Sequence, residues 1–159
     1  RRKRQQLNEE ECERILKNAS AGVLGLHGDD GYPYTVPISF VLDGDRLIFH
    51  SAKSGHKIDA IEKNEKASFC VIDQDQVIPE ELTTYFRSVI VFGKLRIVED
   101  EREKREMIER LAVRYAPEFA ASAIEKEIEK TWKALCLIEF MIEYMSGKEA
   151  IELINKENR

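Results

Sequence analysis

The sequence predicts an α+β domain in which six or seven antiparallel strands form a barrel-like sheet with flanking helices. Three observations point there. The β-type runs follow one another through short turn signals, which favours hairpins and antiparallel pairing. Helical periodicity is confined to the start, middle and end of the chain, so helices and strands are segregated. The longest β-signal, residues 84–98, carries a glycine in its middle, as do strands that turn a barrel corner.

Residues 7–19 read as a helix, with Asn8 as N-cap, Glu9, Glu10 and Glu11 at its positive end, and Ile15 and Leu16 in its apolar stripe. Residues 21–27 read as a strand, halted by the turn Gly28-Asp29-Asp30-Gly31. The next strand, 34–42, holds Val36, Ile38 and Phe40 on one face. Pro33 and Pro37 lack ladder donors and assign part of it to an edge or bulge. Asp43-Gly44-Asp45 turns the chain into a strand at 46–50. A helix follows to residue 64, capped by Ser54, with Ile58 and Ile61 inward. Residues 66–73 form a strand, 74–83 a polar loop, and 84–98 the long strand with a bend or bulge at Gly93. Asp100 caps a helix whose inward stripe is Met107, Ile108, Leu111 and Tyr115, ended by Pro117. Ser122 to Glu125 fits a capping box for a helix to Lys130; residues 134–145 read as the last strand and 148–155 as a closing helix.

Length and composition restrict function. A chain of 159 residues, 43% hydrophobic and 35% charged, suits a single domain, 1–159, able to bury a core without disulfides. Its net charge of −5 argues against a nucleic-acid partner held by phosphate neutralisation. The basic opening Arg1-Arg2-Lys3-Arg4 reads as a solvated tail. No apolar run approaches the roughly 18 residues of a membrane span, and no signal peptide is visible; position 1 is not Met, so a short N-terminal piece is expected to be missing or trimmed. Cys12, Cys70 and Cys136 have neither disulfide nor zinc spacing and read as reduced thiols of a cytoplasmic protein.

The common nucleotide-binding, hydrolase and metalloprotease motifs are absent. His27, His50 and His56 lie apart, and no metal site is expected from them. What resists a purely structural reading is Phe49-His50-Ser51-Ala52-Lys53-Ser54-Gly55-His56-Lys57. A strand there gives way to a helix start with Gly, His and Lys in its first turn. Free N–H groups at a helix start attract anions, and Lys57 adds a full charge beside them, so the segment has the makings of a phosphate cradle. Arg87 stands in an apolar run and requires a partner, a cofactor anion or a structural carboxylate. Trp132, at a helix-to-strand junction, suits packing, with cover for a ligand or a subunit seam as the alternative.

The same segment carries a family resemblance. Val36-Pro37-Ile38-Ser39-Phe40, then Asp43 to Ala52, then Gly55-His56-Lys57 resembles the pyridoxamine 5′-phosphate oxidase-like flavoproteins, in the branch related to nitroimidazole-resistance reductases. Tyr85 to Lys94 resembles that branch's long central strand, and Ser146-Gly147-Lys148 its closing motif after the last strand. The likeness runs from about residue 1 to 148.

The resemblance implies a split β-barrel that forms a homodimer and holds one FMN in each of two clefts between subunits. It assigns the FMN phosphate to Lys57 and the amides of Gly55 and His56. Phe49, His50, Ser51 and Ala52 would run along the ribityl chain and flavin edge, with Val36, Pro37, Ile38 and Ser39 along the ring. Arg87 and Ser88 become candidates for contacts near the flavin or across the dimer, and His50 is the candidate for a chemical role. The Arg- and Trp-rich C-terminal substrate motif of the oxidase itself has no counterpart at residues 139–148, which argues against pyridoxamine phosphate oxidation. Electron transfer to a small molecule, such as a nitroaromatic, fits better. The alternatives are a flavin-binding protein with little turnover and a barrel that binds haem or another ligand.

Overall fold

The structure, a computed structural model, describes residues 3–157 and the side chains of residues 4–154. Seven strands form one antiparallel sheet: β1 (Ala21–His27), β2 (Pro33–Ser39), β3 (Val41–Asp43), β4 (Arg46–Ala52), β5 (Lys66–Ile78), β6 (Thr83–Val98) and β7 (Leu135–Glu149), in the order β2-β1-β5-β6-β7-β4-β3. The helices are α1 (Glu9–Asn18), α2 (His56–Lys63), α3 (Glu101–Tyr115), α4 (Ala121–Thr131) and α5 (Ile151–Glu157). The sheet curls into a half-barrel, the split-barrel form of an α+β fold. β2 at one end of the strand order and β3 at the other are joined through Phe40 alone, and β2 approaches β4.

Side chains on the concave face fill the curl. Phe69 meets Phe40 edge-on at 4.8 Å and Phe49 at 5.2 Å, and Phe140 closes the cluster. All four rings are fully buried. Ile15 and Leu16 of α1 plug the curl from outside the sheet order, while Met107 and Leu111 of α3 cover a second cluster around Ile48 and Leu137. β2 is an edge strand, which is where Pro33 and Pro37 are tolerated. At Gly93 the β6–β7 register slips; a Cβ there would sit 1.9 Å from the Met141 carbonyl oxygen, so only glycine lets the strands stay paired through the bend.

Several expected boundaries move. The predicted strand 34–42 breaks at Phe40, whose N–H donates to the Tyr115 hydroxyl (2.9 Å) while that hydroxyl also lies 2.7 Å from the Phe40 carbonyl. A side chain 75 residues away thus replaces a ladder partner, which local pattern does not reveal. Residues 74–78, read as loop, extend β5 through a bulge after Ile72, paired with β6 from Thr83 onward. β7 runs to Glu149, so Ser146-Gly147-Lys148 lies inside the strand and α5 begins later than expected. α4 starts after Ala120, so Ser122 lies in its first turn and forms no capping box. The Asn8–Glu11 capping box and the Asp100 cap are both formed. Arg1 and Arg2 of the basic opening lie outside the described residues, Arg4 is exposed, and Gln5 is buried with its amide donating to the Glu149 carbonyl (3.0 Å).

Candidate functional site

The turn from β4 into α2 holds the residues on which the sequence reading converged. Gly55, and not Ser54, is the N-cap of α2. Its φ of 123° with ψ of 168° is a glycine-only conformation, and it offers no side chain to the helix. The Gly55 carbonyl accepts from Ile58 N–H (2.8 Å) and Asp59 N–H (3.1 Å), so the turn is well formed while the first N–H groups of α2 lack a side-chain cap. Space beyond the Gly55 Cα is open for 4 Å.

Lys57 stands beside these groups, half-buried, and among the described residues no carboxylate pairs with it. Burial pushes its ammonium below the usual lysine range, with the Cys136 thiol acting weakly in the other direction. His50 is open to solvent on the surface yet flanked by protein volume. That desolvation first, and the Lys57 charge second, hold its imidazole below the ordinary value. Cys136, opposite Ser51 on β7, is buried; desolvation raises its thiol, opposed by Lys104, Lys57 and Lys53. Lys53 and Lys104 near this thiol lie beside Glu62, Glu99 and Glu101, whereas Lys57 has no carboxylate partner among the described residues.

The other predicted residues fall into three groups. Strand alternation puts Phe49 inside the core, fully buried, so only its backbone faces the turn; His50 and Ala52 are exposed and Ser51 is half-exposed. Ile38 is buried in the same core, Val36 is half-buried against it, and Pro37 is exposed on the edge strand. Ser39 lines the same cleft as His50, so the curl of the sheet does bring the end of β2 to β4. His56 turns its ring onto Tyr34 of β2 at 4.3 Å, tying the α2 start to that strand. Arg87 and Ser88 lie elsewhere: on β7 their partners are Glu149 and Lys148, whereas His50 pairs with Leu137. Twelve residues separate Leu137 from Glu149, about 40 Å along a strand at roughly 3.3 Å per residue. Within one chain these two residues are not beside the α2 turn. Arg87 finds its structural carboxylate in Glu149 (2.8 and 3.1 Å), with Asp73 at 3.7 Å. Trp132 packs: its indole N–H donates to Glu101 (2.7 Å) and Lys104 lies 4.5 Å above the ring.

The sequence reading missed a buried ion network. Glu139 of β7 receives Arg46 of β4 at 2.9 Å and Arg96 of β6 at 2.6 Å, and Arg96 continues to Glu103 of α3 at 2.7 Å. These contacts fasten α3 over the sheet. Partners 43 and 93 residues apart leave no local sequence signal. No helix among the described residues is long and apolar enough to cross a membrane.

A curled antiparallel half-barrel with an uncapped, lysine-flanked helix start at its mouth is an anion-accepting scaffold. The family model for pyridoxamine 5′-phosphate oxidase matches residues 8–149, and the chain belongs to that family. Its fold is shared with a protein of Bacteroides thetaiotaomicron assigned to 5-nitroimidazole antibiotic resistance (22% identity, 91% of this chain and 86% of that one, TM-score 0.74). It is shared too with an FAD-binding protein of Mesorhizobium loti (23% identity, 91% and 96% covered, TM-score 0.67) and an FAD and heme binding protein of Mycobacterium smegmatis (23%, 92% and 74%, TM-score 0.76). No curated protein sequence matches the chain significantly.

Proposed function

We propose that the protein is a homodimeric, cytoplasmic FMN-binding oxidoreductase that passes electrons to a small molecule, nitroaromatics included, in a cleft between subunits. The observation that carries this is the half-buried, unpaired Lys57 beside the uncapped first turn of α2. An isolated, desolvated cation is costly unless an anion meets it, and a terminal phosphate meets it while accepting the free N–H groups. The residues present therefore fit a flavin phosphate. FMN, when bound, supplies the redox chemistry. The chain's own residues do the rest. Lys57 neutralises the phosphate, the Gly55 turn admits it without steric conflict, and Ser39 and Ser51 offer hydroxyl donors. His50, whose pKa burial and Lys57 lower, presents an imidazole at the cleft that can donate a hydrogen bond or take up a proton, becoming cationic when it does. Exposed His50, Ala52 and Pro37 face outward as ligand contacts would, while Phe49 and Ile38 stiffen the strands behind them.

The dimer is supported by the convex face of the sheet. Phe92 of β6 stacks on Tyr144 of β7 at 6.0 Å, and Ile90, Ile72 and Val23 continue the apolar band across β6, β5 and β1, each at least 38% exposed. Such a band on an exposed sheet face is what a second copy covers. Across that dimer, Arg87 and Ser88 would come from the partner.

An absorption spectrum of the protein as purified, followed by titration with FMN and with FAD, tests the proposal. Flavin bands and stoichiometric FMN uptake are expected, with bleaching by a nicotinamide donor under anaerobic conditions and recovery on adding a nitroaromatic. A colourless protein that ignores both flavins, or a Soret band, overturns it.

A further inference from the structure

The cleft that Ser39 and His50 line opens where α3 and α4 meet the ends of β2 and β4. It has a volume of about 610 Å³, and its apolar lining includes Leu111, Tyr115, Phe119, Ile124 and Ile128. Ser39 and His50, both part of the proposed flavin site, join it to that site.

Three features say what it takes. The wall is overwhelmingly apolar with a few polar points, and its volume is within the range of roughly 300 to 1,000 Å³ typical of small-molecule sites. Two of its aromatic rings are left open, Phe119 at 66% and Tyr115 at 41% exposure, although a folded chain normally covers concave aromatic surface. The charge is distinctive: among the described residues of the lining Glu127 is the one carboxylate and no Lys or Arg joins it, so an anion is disfavoured here. Tyr115 is also held in place, since its hydroxyl bridges the Phe40 N–H and carbonyl at the break between β2 and β3. The cleft is thus pre-shaped and does not depend on a ligand to form it.

We propose that this cleft binds the small molecule served by the flavin site, and that its ligand is a neutral or cationic, largely apolar aromatic compound seated with one edge toward Ser39 and His50. This rests on the flavin reading for the ligand's role, but its binding is testable separately.

The test uses Nile red, an uncharged aromatic dye whose emission rises in apolar surroundings, titrated into the full-length protein with FMN titrated in parallel. Ala123→Trp, from the exposed face of α4 that lines the cleft, and Ala112→Phe, from α3, fill the space. Lys126→Trp adds the same ring outside it. Saturable dye binding is expected in the native protein, at least tenfold weaker in either filled variant and unchanged in Lys126→Trp, with melting temperatures showing all to be folded. Absent dye binding, equal binding in the filled variants, or equal loss in Lys126→Trp overturns the proposal, whatever FMN does. Loss of dye in the filled variants alone, without FMN uptake by any form, upholds the cleft and removes the flavin reading. FMN uptake without a cleft-dependent dye signal does the reverse.

Discussion

Replacing Lys57 by alanine separates a ligand-binding cation from a structural one, because the two roles predict opposite effects on the ligand-free protein. Lys57 is half-buried, desolvation already lowers its pKa, and no carboxylate among the described residues offsets the cost. Removing it should leave the melting temperature of the ligand-free protein unchanged or raise it. The phosphate contact proposed for it would be charge-assisted, about 1.5 to 3 kcal/mol when protected; partial exposure lowers the floor to about 1 kcal/mol. At about 1.4 kcal/mol per tenfold, FMN affinity should fall roughly 5- to 150-fold. Lys57→Arg should recover most of it. Quenching of flavin fluorescence gives the affinity, and the difference between native and variant should shrink as salt is raised. The pH sign follows from the lowered pKa. The unfolded chain keeps the Lys57 proton to higher pH than the folded one, so the ligand-free protein should gain stability as pH rises from the folded toward the unfolded value, while FMN affinity falls over the same range. Unchanged FMN affinity, or a ligand-free variant that melts well below the native protein, would refute the reasoning.

The remaining expectations concern the frame. Glu139→Ala removes the carboxylate that Arg46 and Arg96 share, leaving Arg46 with Asp43 and Arg96 with Glu103, and should cost about 1.5 to 3 kcal/mol in urea unfolding, with Glu139→Gln milder. Burial raises the Glu139 pKa, but the bonds from Arg46 and Arg96 together outweigh it, so the carboxyl ends below its usual range. Its contribution is therefore complete above the unfolded pKa and lost as pH falls through the folded one, and Glu139→Ala should flatten acid unfolding. Gly93→Ala drives a methyl group into the Met141 carbonyl and should destabilise by about 3 kcal/mol, read by thermal melting. Phe92→Arg places a charge in the apolar convex band; sedimentation should show a monomer, and FMN uptake should weaken with it.

What the sequence revealed follows from the range over which each signal acts. Turn residues, the Asn8 and Asp100 caps, and the period-two pattern of 84–98 act within a few residues, and each was legible. The Gly55-His56-Lys57 turn was legible for the same reason: its glycine conformation and helix start are local. Even there the sequence points to Ser54 as the cap, because a serine at that spacing looks like one; the positive φ of Gly55 moves the cap one residue on. Residues 74–78 failed differently. Gln74, Asp75 and Gln76 have poor β-propensity, and they are strand only because Arg87, Phe86 and Tyr85 of the longer β6 pair with them.

The candidate site divides along the same line. Alternation on β4 could have shown that Phe49 and His50 face opposite sides, so that a strand passing the ligand contributes backbone at one residue and a side chain at the next. Nothing local shows that Ser39 and His50 line one cleft, since that depends on the sheet curling until β2 approaches β4. Tyr115 is the sharper case. As a helix residue it reads as part of an inward stripe, yet its hydroxyl completes the hydrogen bonding of Phe40 where one strand becomes two, and its ring then forms part of the apolar cleft. A break in an edge strand must satisfy its freed backbone groups somewhere. Here the group that does so also shapes the wall beside His50, so the local irregularity at Phe40 and the cleft beside the proposed flavin site share a physical origin.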